Sequence, residues 1–228
     1  MERSINKMIN LYNVTCFITE WEEKEKEVLE LLQKLKENIN FKKIIFLKQS
    51  NEYFDDYVEN DIDIKYLKKM TIIEYNNFCV QRLNQYIDTD FCMLVQLDGH
   101  PINFNLWDDN FLKYDYIGAP WLSNHYWVVH TNNIIGNGGF CIRSKKFLEE
   151  SAMLDYSFEK YQTNEDVFLC CFAGNYLKSK GITFAPYDVA IKFSIEKIEN
   201  SNYDITNSFG YHGKEHIEVA KKILNNTL

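Results

Sequence analysis

The run Phe91–Leu97 (FCMLVQL), closed by Asp98-Gly99, limits the possible folds more than any other feature of the chain. A strand that is apolar along nearly its whole length has no polar face to give to water. It must be covered on both sides, near the centre of a parallel sheet with helices above and below.

The segments before it agree. Tyr12–Thr19 is rich in β-formers, and Glu22–Asn38 reads as a charged helix with Val28, Leu31, Leu32 and Leu35 on one face. Lys43–Leu47 and Ile62–Tyr66 read as short strands. Tyr75–Ile87 then places Cys79, Val80, Leu83, Tyr86 and Ile87 at helical spacing. This β-α-β-α-β order predicts an α/β fold with a mostly parallel, Rossmann-like central sheet flanked by helices. Beyond Asp98 the chain is richer in aromatic residues, glycine and asparagine. Strands are expected at Gly139–Arg143 and near Val189–Phe193, and helices at Lys145–Met153, Glu165–Ser179 and from Lys214 onward, with a polar loop at Glu196–Ser208. With three prolines and nine glycines in 228 residues, there is no low-complexity linker and no domain boundary. The expectation is a single domain over residues 1–228. Its first half, to about residue 100, is the scaffold, and residues 101–228 build the site.

Charge removes several function classes. Lys and Arg number 25 against 33 Asp and Glu, a formal charge of −8. That balance argues against a nucleic-acid binder relying on phosphate neutralisation and against a polybasic membrane-surface protein, although a local patch still permits peripheral membrane contact. The amino-terminal sequence shows no secretory pattern, and no apolar run reaches the roughly 18 residues a transmembrane helix needs. Cys16, Cys79, Cys92, Cys141, Cys170 and Cys171 lack the C-x-x-C spacing of a zinc or redox site. They read as buried free thiols of a reducing compartment, so a cytoplasmic protein is expected.

Four short motifs carry chemistry. Gln96-Leu97-Asp98-Gly99-His100 places a carboxylate just past the end of the buried strand, where open α/β sheets bind ligands. Asp98 there can hold Mg²⁺ or Mn²⁺ bridging a nucleotide diphosphate, with His100 adding a nitrogen; the same Asp-Gly also suits a plain strand-ending turn. Asp115–Trp121 and then Gly136-Asn137-Gly138-Gly139-Phe140 supply small residues that let a ligand approach the backbone. Trp121 and Trp127 offer faces for a sugar, yet the glycine loop lacks phosphate-cradle spacing and also reads as a tight turn beside core aromatics. Asn164-Glu165-Asp166-Val167 opens an apolar helix. Acids are favoured at a helix start by the dipole alone, but one aimed into a cleft can act as a general base. Finally, His212 in Phe209-Gly210-Tyr211-His212-Gly213 has little local packing and suits a metal or phosphate. His125, His130 and His216 lack such a setting and read as surface or incidental residues.

In order, TDFCMLVQLDGHPIN, FLKYDYIGAPW, GNGGFCIRSKKFL, NEDVFLCC, GITFAPYDVAIKFSIE and FGYHG resemble a bacterial and viral family of uncharacterised domains. That family is usually described as glycosyltransferases of the GT-A type. The resemblance runs from about Asn76 to Gly213, and a looser one connects the chain to beta-1,3-galactosyltransferase-like enzymes. It implies a GT-A-like fold with a nucleotide-sugar donor on the N-terminal sheet and an acceptor on the C-terminal half. Asp98 matches the first aspartate of the DxD signature that binds metal and donor diphosphate, while His100 stands in place of the second. Glu165 and Asp166 match the acidic pair from which inverting enzymes draw their base, with Asp166 favoured. His212 resembles the late histidine that adds a metal ligand. Gly136–Gly139, including Gly138 and Gly139, and Trp121 would line the donor sugar and the acceptor entrance.

The expected reaction moves a sugar from a nucleotide-diphosphate donor to a hydroxyl of a glycan or lipid-linked acceptor. Inversion and dependence on a divalent cation, Mn or Mg, are expected, as is a place in polysaccharide biosynthesis. A net-acidic chain must find local positive charge for the diphosphate, and Arg143 is the nearest candidate in the motif region; otherwise the cation supplies it. Two alternatives stand beside this reading. A sugar nucleotidyltransferase would need a glycine-rich basic signature, which Tyr12–Glu20 lacks. A non-catalytic carbohydrate-binding module would use Trp107, Trp121 and Trp127 as platforms and leave Asp98, Asp166 and His212 without a role.

Overall fold

The structure, a computed structural model, describes residues 8–131, 133–197 and 204–225. Residues 1–7, much of the polar loop expected at 196–208 and the side chain of His130 lie outside the described residues. In chain order the first half comprises β1 (Ile9–Trp21), α1 (Glu25–Lys36), β2 (Ile39–Ser50), β3 (Tyr57–Glu59), β4 (Ile62–Lys68), α2 (Ile72–Gln81) and β5 (Phe91–Leu94). Then follow β6 (Gly99–Pro101), β7 (Tyr116–Gly118), α3 (Tyr126–Thr131), β8 (Cys141–Ser144), α4 (Lys145–Ala152), α5 (Phe158–Tyr161) and α6 (Glu165–Val167). α7 (Gly174–Ser179), α8 (Tyr187–Phe193), β9 (Ser194–Ile195), β10 (Gly210–His212) and α9 (Ile217–Leu224) complete the chain.

Among the described residues, a seven-stranded sheet runs β3-β4-β2-β1-β5-β8-β7. The central pairs β4–β2, β2–β1 and β1–β5 are parallel, while β3, β8 and β7 pair antiparallel at the two sides. The interior is where the sequence put it. Phe17, Phe46 and Met93 on the central strands are fully buried. The helix α1 packs on β1 and β2 through buried Val28, Leu32 and Leu35. Each such side chain contributes about 1.5–3 kcal/mol of transfer free energy. Helix α2 starts with a reciprocal cap: Thr71 Oγ1 accepts from the Glu74 N–H, and a Glu74 carboxylate oxygen accepts from the Thr71 N–H at 2.8 Å.

A smaller sheet, β6-β10-β9, packs with α9 over a second core of Ile102, Ile191, Ile195, Ile205, Tyr211 and Ala220. Asp115 fastens the far edge of the large sheet. It accepts hydrogen bonds from Ser144 Oγ, the Thr183 N–H and Thr183 Oγ1 at 2.6, 2.8 and 2.9 Å.

Three local expectations change. Val189–Phe193 lies in the helix α8 rather than a strand, because Pro186 fixes an extended turn at its start and Ala190, Ile191 and Phe193 share a buried face. The helix expected over Glu165–Ser179 is broken: α6 widens into a π-turn at Phe168–Phe172, with the Ala173 N–H bonded to the Phe168 carbonyl at 2.8 Å, before α7 begins. The strand expected over Phe91–Leu97 stops at Leu94, since Gln96 already belongs to a turn. All six cysteines are free and buried.

Candidate active site

The site begins where β5 ends. Gln96 and Gly99 exchange two backbone hydrogen bonds, 2.7 and 3.0 Å long, so the chain reverses within Leu97-Asp98 and Asp98 stands at the tip. This turn lies beside the carboxyl end of β1, whose two neighbours in the sheet, β2 and β5, are both parallel to it. Strand order diverges at β1, and such a switch point opens a crevice at the strand ends. Trp21, at the end of β1, is half exposed there.

His212 is delivered to the turn by β10. Its register sets Gly99 opposite His212, and the Gly213 N–H donates to the Asp98 carbonyl at 2.8 Å. The imidazole fits a slot that only glycines leave open. A Cβ at Gly99 would lie 2.7 Å from His212 Cδ2, and one at Gly139 would lie 2.1 Å from His212 Nε2. Both glycine motifs of the sequence therefore serve one ring. His212 Nε2 lies 3.3 Å from Gln96 Oε1, and Nδ1 lies 3.5 Å from Glu196 Oε1. Burial pulls the imidazole towards the neutral form, but Glu196, Asp98 and Asp166 together raise its pKa above the ordinary histidine value.

Asp166 joins from α6. One carboxylate oxygen accepts from the Gly138 N–H at 3.0 Å and the other from the Val167 N–H at 2.8 Å. The carboxylate thus sits part-buried at a helix start, clamped to the glycine loop, and acts on His212 electrostatically. Asn76 of α2 holds this helix start from outside, since its Oδ1 accepts from the Glu165 N–H at 2.9 Å.

Five residues read as site candidates, one of them only in the carbohydrate-binding alternative, do not face the crevice. Glu165 is enclosed with Arg143, whose side chain is fully buried; Arg143 Nη2 donates to both carboxylate oxygens at 2.9 and 3.0 Å. Burial drives the Glu165 pKa up to about 7 against the opposing pull of Arg143. Arg143 is therefore a neutralised structural cation, and it gives a diphosphate nothing. His100 points to the other side of the small sheet, where its Nε2 meets the Tyr211 hydroxyl at 3.2 Å and burial lowers its pKa to about 4. Trp121 lies beneath the glycine loop: a Cβ at Gly136 would fall 2.0 Å from its ring, so its face is already covered by protein. Trp107, a platform of the carbohydrate-binding alternative, packs edge-on against Phe111 and Phe209 and donates to Asp109 at 2.8 Å.

Glu196 and Asn76 escape a sequence reading built on motifs, and Gln96 opens one of those motifs without a role of its own. Gln96 left one signal, a lone amide inside an apolar run. Asn76 left another, an amide on the buried stripe of α2. Glu196 is contributed by the turn after β9, and only the pairing of β9 with β10 brings it to His212.

A divalent cation fits this site in part. Asp98 and His212 offer one oxygen and one nitrogen donor, a set that suits Mn²⁺ or Mg²⁺, and His212 Nδ1 is buried with no hydrogen-bond partner. Among the described residues, no group of three or more His, Cys, Asp or Glu is placed to hold a metal by itself. A cation would need further oxygens from a bound ligand.

The mixed sheet and its crevice define a GT-A-like fold. It is similar to the galactosyltransferase LgtC in complex with donor and acceptor sugar analogs, with TM-score 0.56 and 12% identity over 93% of this chain and 95% of that one. A structure of an active-site mutant of LgtC gives TM-score 0.54 and 12% identity at the same coverage. By sequence, residues 58–212 match the family described as "Protein of unknown function (DUF5672)", and the chain belongs to that family. No curated protein matches the chain by sequence.

Proposed function

We propose that the protein is a glycosyltransferase that moves a sugar from a nucleotide-diphosphate donor to a hydroxyl of a glycan or lipid-linked acceptor. One observation carries this reading. Asp98, Asp166 and His212 come from three distant parts of the chain and meet around the glycine loop beside the switch point: the Gly213 N–H donates to the Asp98 carbonyl, the His212 ring packs on Gly139 and the Asp166 carboxylate accepts from the Gly138 N–H, in a fold similar to that of a galactosyltransferase.

The chemistry needs a base for the acceptor hydroxyl and charge stabilisation for the leaving diphosphate. Asp166 fits the first need, because its backbone bonds fix both oxygens while each keeps a lone pair free. As the acceptor oxygen attacks the anomeric carbon, its proton passes to Asp166 and the bond from that carbon to the diphosphate oxygen breaks. A single displacement of this kind inverts the anomeric centre. A cation held by Asp98 and His212 would supply Lewis-acid stabilisation of the departing diphosphate. With Arg143 neutralised inside the protein, the positive charge for the donor falls to that cation, which His212 would ligate as a neutral imidazole.

The carbohydrate-binding alternative loses two of its three platforms, since Trp121 is covered and Trp107 is engaged by neighbouring rings. No helix among the described residues is long and apolar enough to cross a membrane. Thermal-shift screening of nucleoside diphosphates with and without Mn²⁺ tests the reading. A ligand at a hundred times its Kd should stabilise the protein by about 2.7 kcal/mol. If no nucleotide shifts the transition under either condition, the donor site is wrong.

A further inference from the structure

Among the described residues, four that are not glycine take a left-handed φ: Asn60, Asp61, Asn137 and Gln162. Asn60 and Asp61 form the exposed β3–β4 turn and Gln162 ends α5 at the surface, where such backbone is ordinary. Asn137, at 66°, is 2% exposed and sits inside the glycine loop. The glycines on either side, Gly136 and Gly138, take no left-handed φ. They are needed for closeness, since a Cβ at Gly136 would fall 2.0 Å from Trp121 and one at Gly138 2.0 Å from Glu165. The unusual conformation falls on the asparagine. It turns two successive carbonyls, those of Gly136 and Asn137, towards Gly118, where a Cβ would lie 2.1 and 2.8 Å from their oxygens. The peptide bond from Asn137 to Gly138 is trans, so the Gly138 N–H points opposite to the Asn137 carbonyl, away from Gly118. There it meets Asp166 at 3.0 Å. The side chain steadies this arrangement, because Asn137 Oδ1 accepts from the Gly139 N–H at 3.3 Å, a closure asparagine makes readily with the backbone two residues on. The same amide stands beside the Glu196 carboxylate.

We propose that Asn137 is a positioning residue for Asp166: its left-handed backbone aims the Gly138 N–H at the carboxylate and so sets where the base stands against the crevice. Of the two backbone bonds that hold Asp166, the one from the Val167 N–H lies within α6 and moves with it. The bond from Gly138 crosses from the loop to the helix, and of the two it is the one that registers the carboxylate against the loop. Asparagine suits the position for two reasons. It tolerates a positive φ better than most residues with a side chain, and its oxygen closes the turn that keeps the loop there. Glycine would accept the same φ, whereas a β-branched residue would resist it. The base role of Asp166 rests on the glycosyltransferase reading; the aim of the Gly138 N–H does not.

The test compares Asn137→Gly, which keeps the backbone and deletes the amide, with Asn137→Val, which keeps most of the volume and opposes the backbone. Both are made in the full chain and first checked for a cooperative melt. If Asn137→Val fails that check, Asn137→Ala, which disfavours a positive φ less strongly, takes its place. The first readout is amide exchange into D₂O. Asn137-Gly138 is the one Asn-Gly pair of the chain, so carbonyl-¹³C asparagine with ¹⁵N-glycine isolates the Gly138 amide, and the same label on the replacing residue reads the variants. That amide should exchange slowly in the wild type and in Asn137→Gly, and about tenfold faster in Asn137→Val, as for the loss of one hydrogen bond. The second readout is donor hydrolysis, in which water stands in for the acceptor, measured as nucleoside diphosphate released from UDP-galactose, UDP-glucose and GDP-mannose with Mn²⁺. Asn137→Val should lower kcat about 10- to 100-fold with KM for the donor nearly unchanged, the loss expected of a misplaced catalytic group. Asn137→Gly should restore most of kcat. A residue needed only for packing would give the opposite order, since glycine leaves the larger void. With an active wild type, equal kcat losses in both variants, a loss confined to KM, or unchanged Gly138 exchange in Asn137→Val overturns this proposal alone. A wild type that releases nothing from any donor and is stabilised by no nucleotide overturns the glycosyltransferase reading, and the base role goes with it.

Discussion

Arg143 and Glu165 meet through two hydrogen bonds of 2.9 and 3.0 Å, at 0% and 5% side-chain exposure. The pair holds the start of α6 against β8 and leaves so little room that a Cβ at Gly138 would fall 2.0 Å from Glu165 Oε1. Its effect on Asp166 is indirect but decisive, since the neighbouring carboxylate is set by the position of that helix start.

Breaking this pair should be asymmetric. A buried carboxyl left alone can take up a proton, whereas a guanidinium cannot lose one. Glu165→Gln should therefore cost about 3–5 kcal/mol, the range for an uncompensated buried charge. Arg143→Met should cost less, and its loss should shrink as pH falls, because burial already pushes the Glu165 pKa upward and the protonated form needs no partner. Urea denaturation at about pH 7 and about pH 5 measures both. Equal and pH-independent losses would contradict the account.

His100 supplies a separate pH dependence. Burial lowers its pKa in the folded protein to about 4 from 6.5. Between those values the unfolded chain binds a proton that the folded one refuses. The stabilisation is complete above about pH 6.5 and is lost as pH falls towards 4, a swing of about 3 kcal/mol. His100→Phe should flatten that part of the stability curve without altering nucleotide-induced shifts, because the ring faces Tyr211 rather than the crevice.

Gly139→Ala should do the opposite. The added methyl meets His212 Nε2 at 2.1 Å, so the imidazole must leave its slot. The expected cost is about 1–3 kcal/mol of stability, as for other overpacked sites. Any stabilisation by nucleotide with Mn²⁺ should be abolished with it. A variant that keeps the full ligand-induced shift would show that His212 is not part of the donor site.

Asp166→Asn preserves an acceptor for the Gly138 N–H and removes the base. Turnover should fall by about 10²–10⁴, while donor affinity in a thermal-shift titration stays essentially unchanged. The product anomer, read by NMR on residual or wild-type activity, should be inverted. Unchanged turnover, or a retained anomer, would take the base role away from Asp166.

The scaffold was legible along the chain. Phe91–Leu94 is a central strand because an apolar run of that length has nowhere else to go, and α1 presents Val28, Leu32 and Leu35 at the spacing its helix demands. Asp98 is likewise placed by local pattern, since an Asp-Gly after a buried strand makes a turn at the strand's end. What the chain could not state was which side of each element faces the crevice. Arg143 and His100 sit close to site residues in sequence, yet a strand turns alternate side chains to opposite faces, and both point inward. The slot for His212 depends on Gly99, Gly139 and Gln96, and the carboxylate beside Nδ1 is that of Glu196. Those contacts span up to 116 positions and exist only once β10 pairs with β6 and β9. Local pattern decided the central strands and the first helices, not the strand expected at Val189–Phe193 or the unbroken helix expected over Glu165–Ser179; the closure of the small sheet against the large one decided the site.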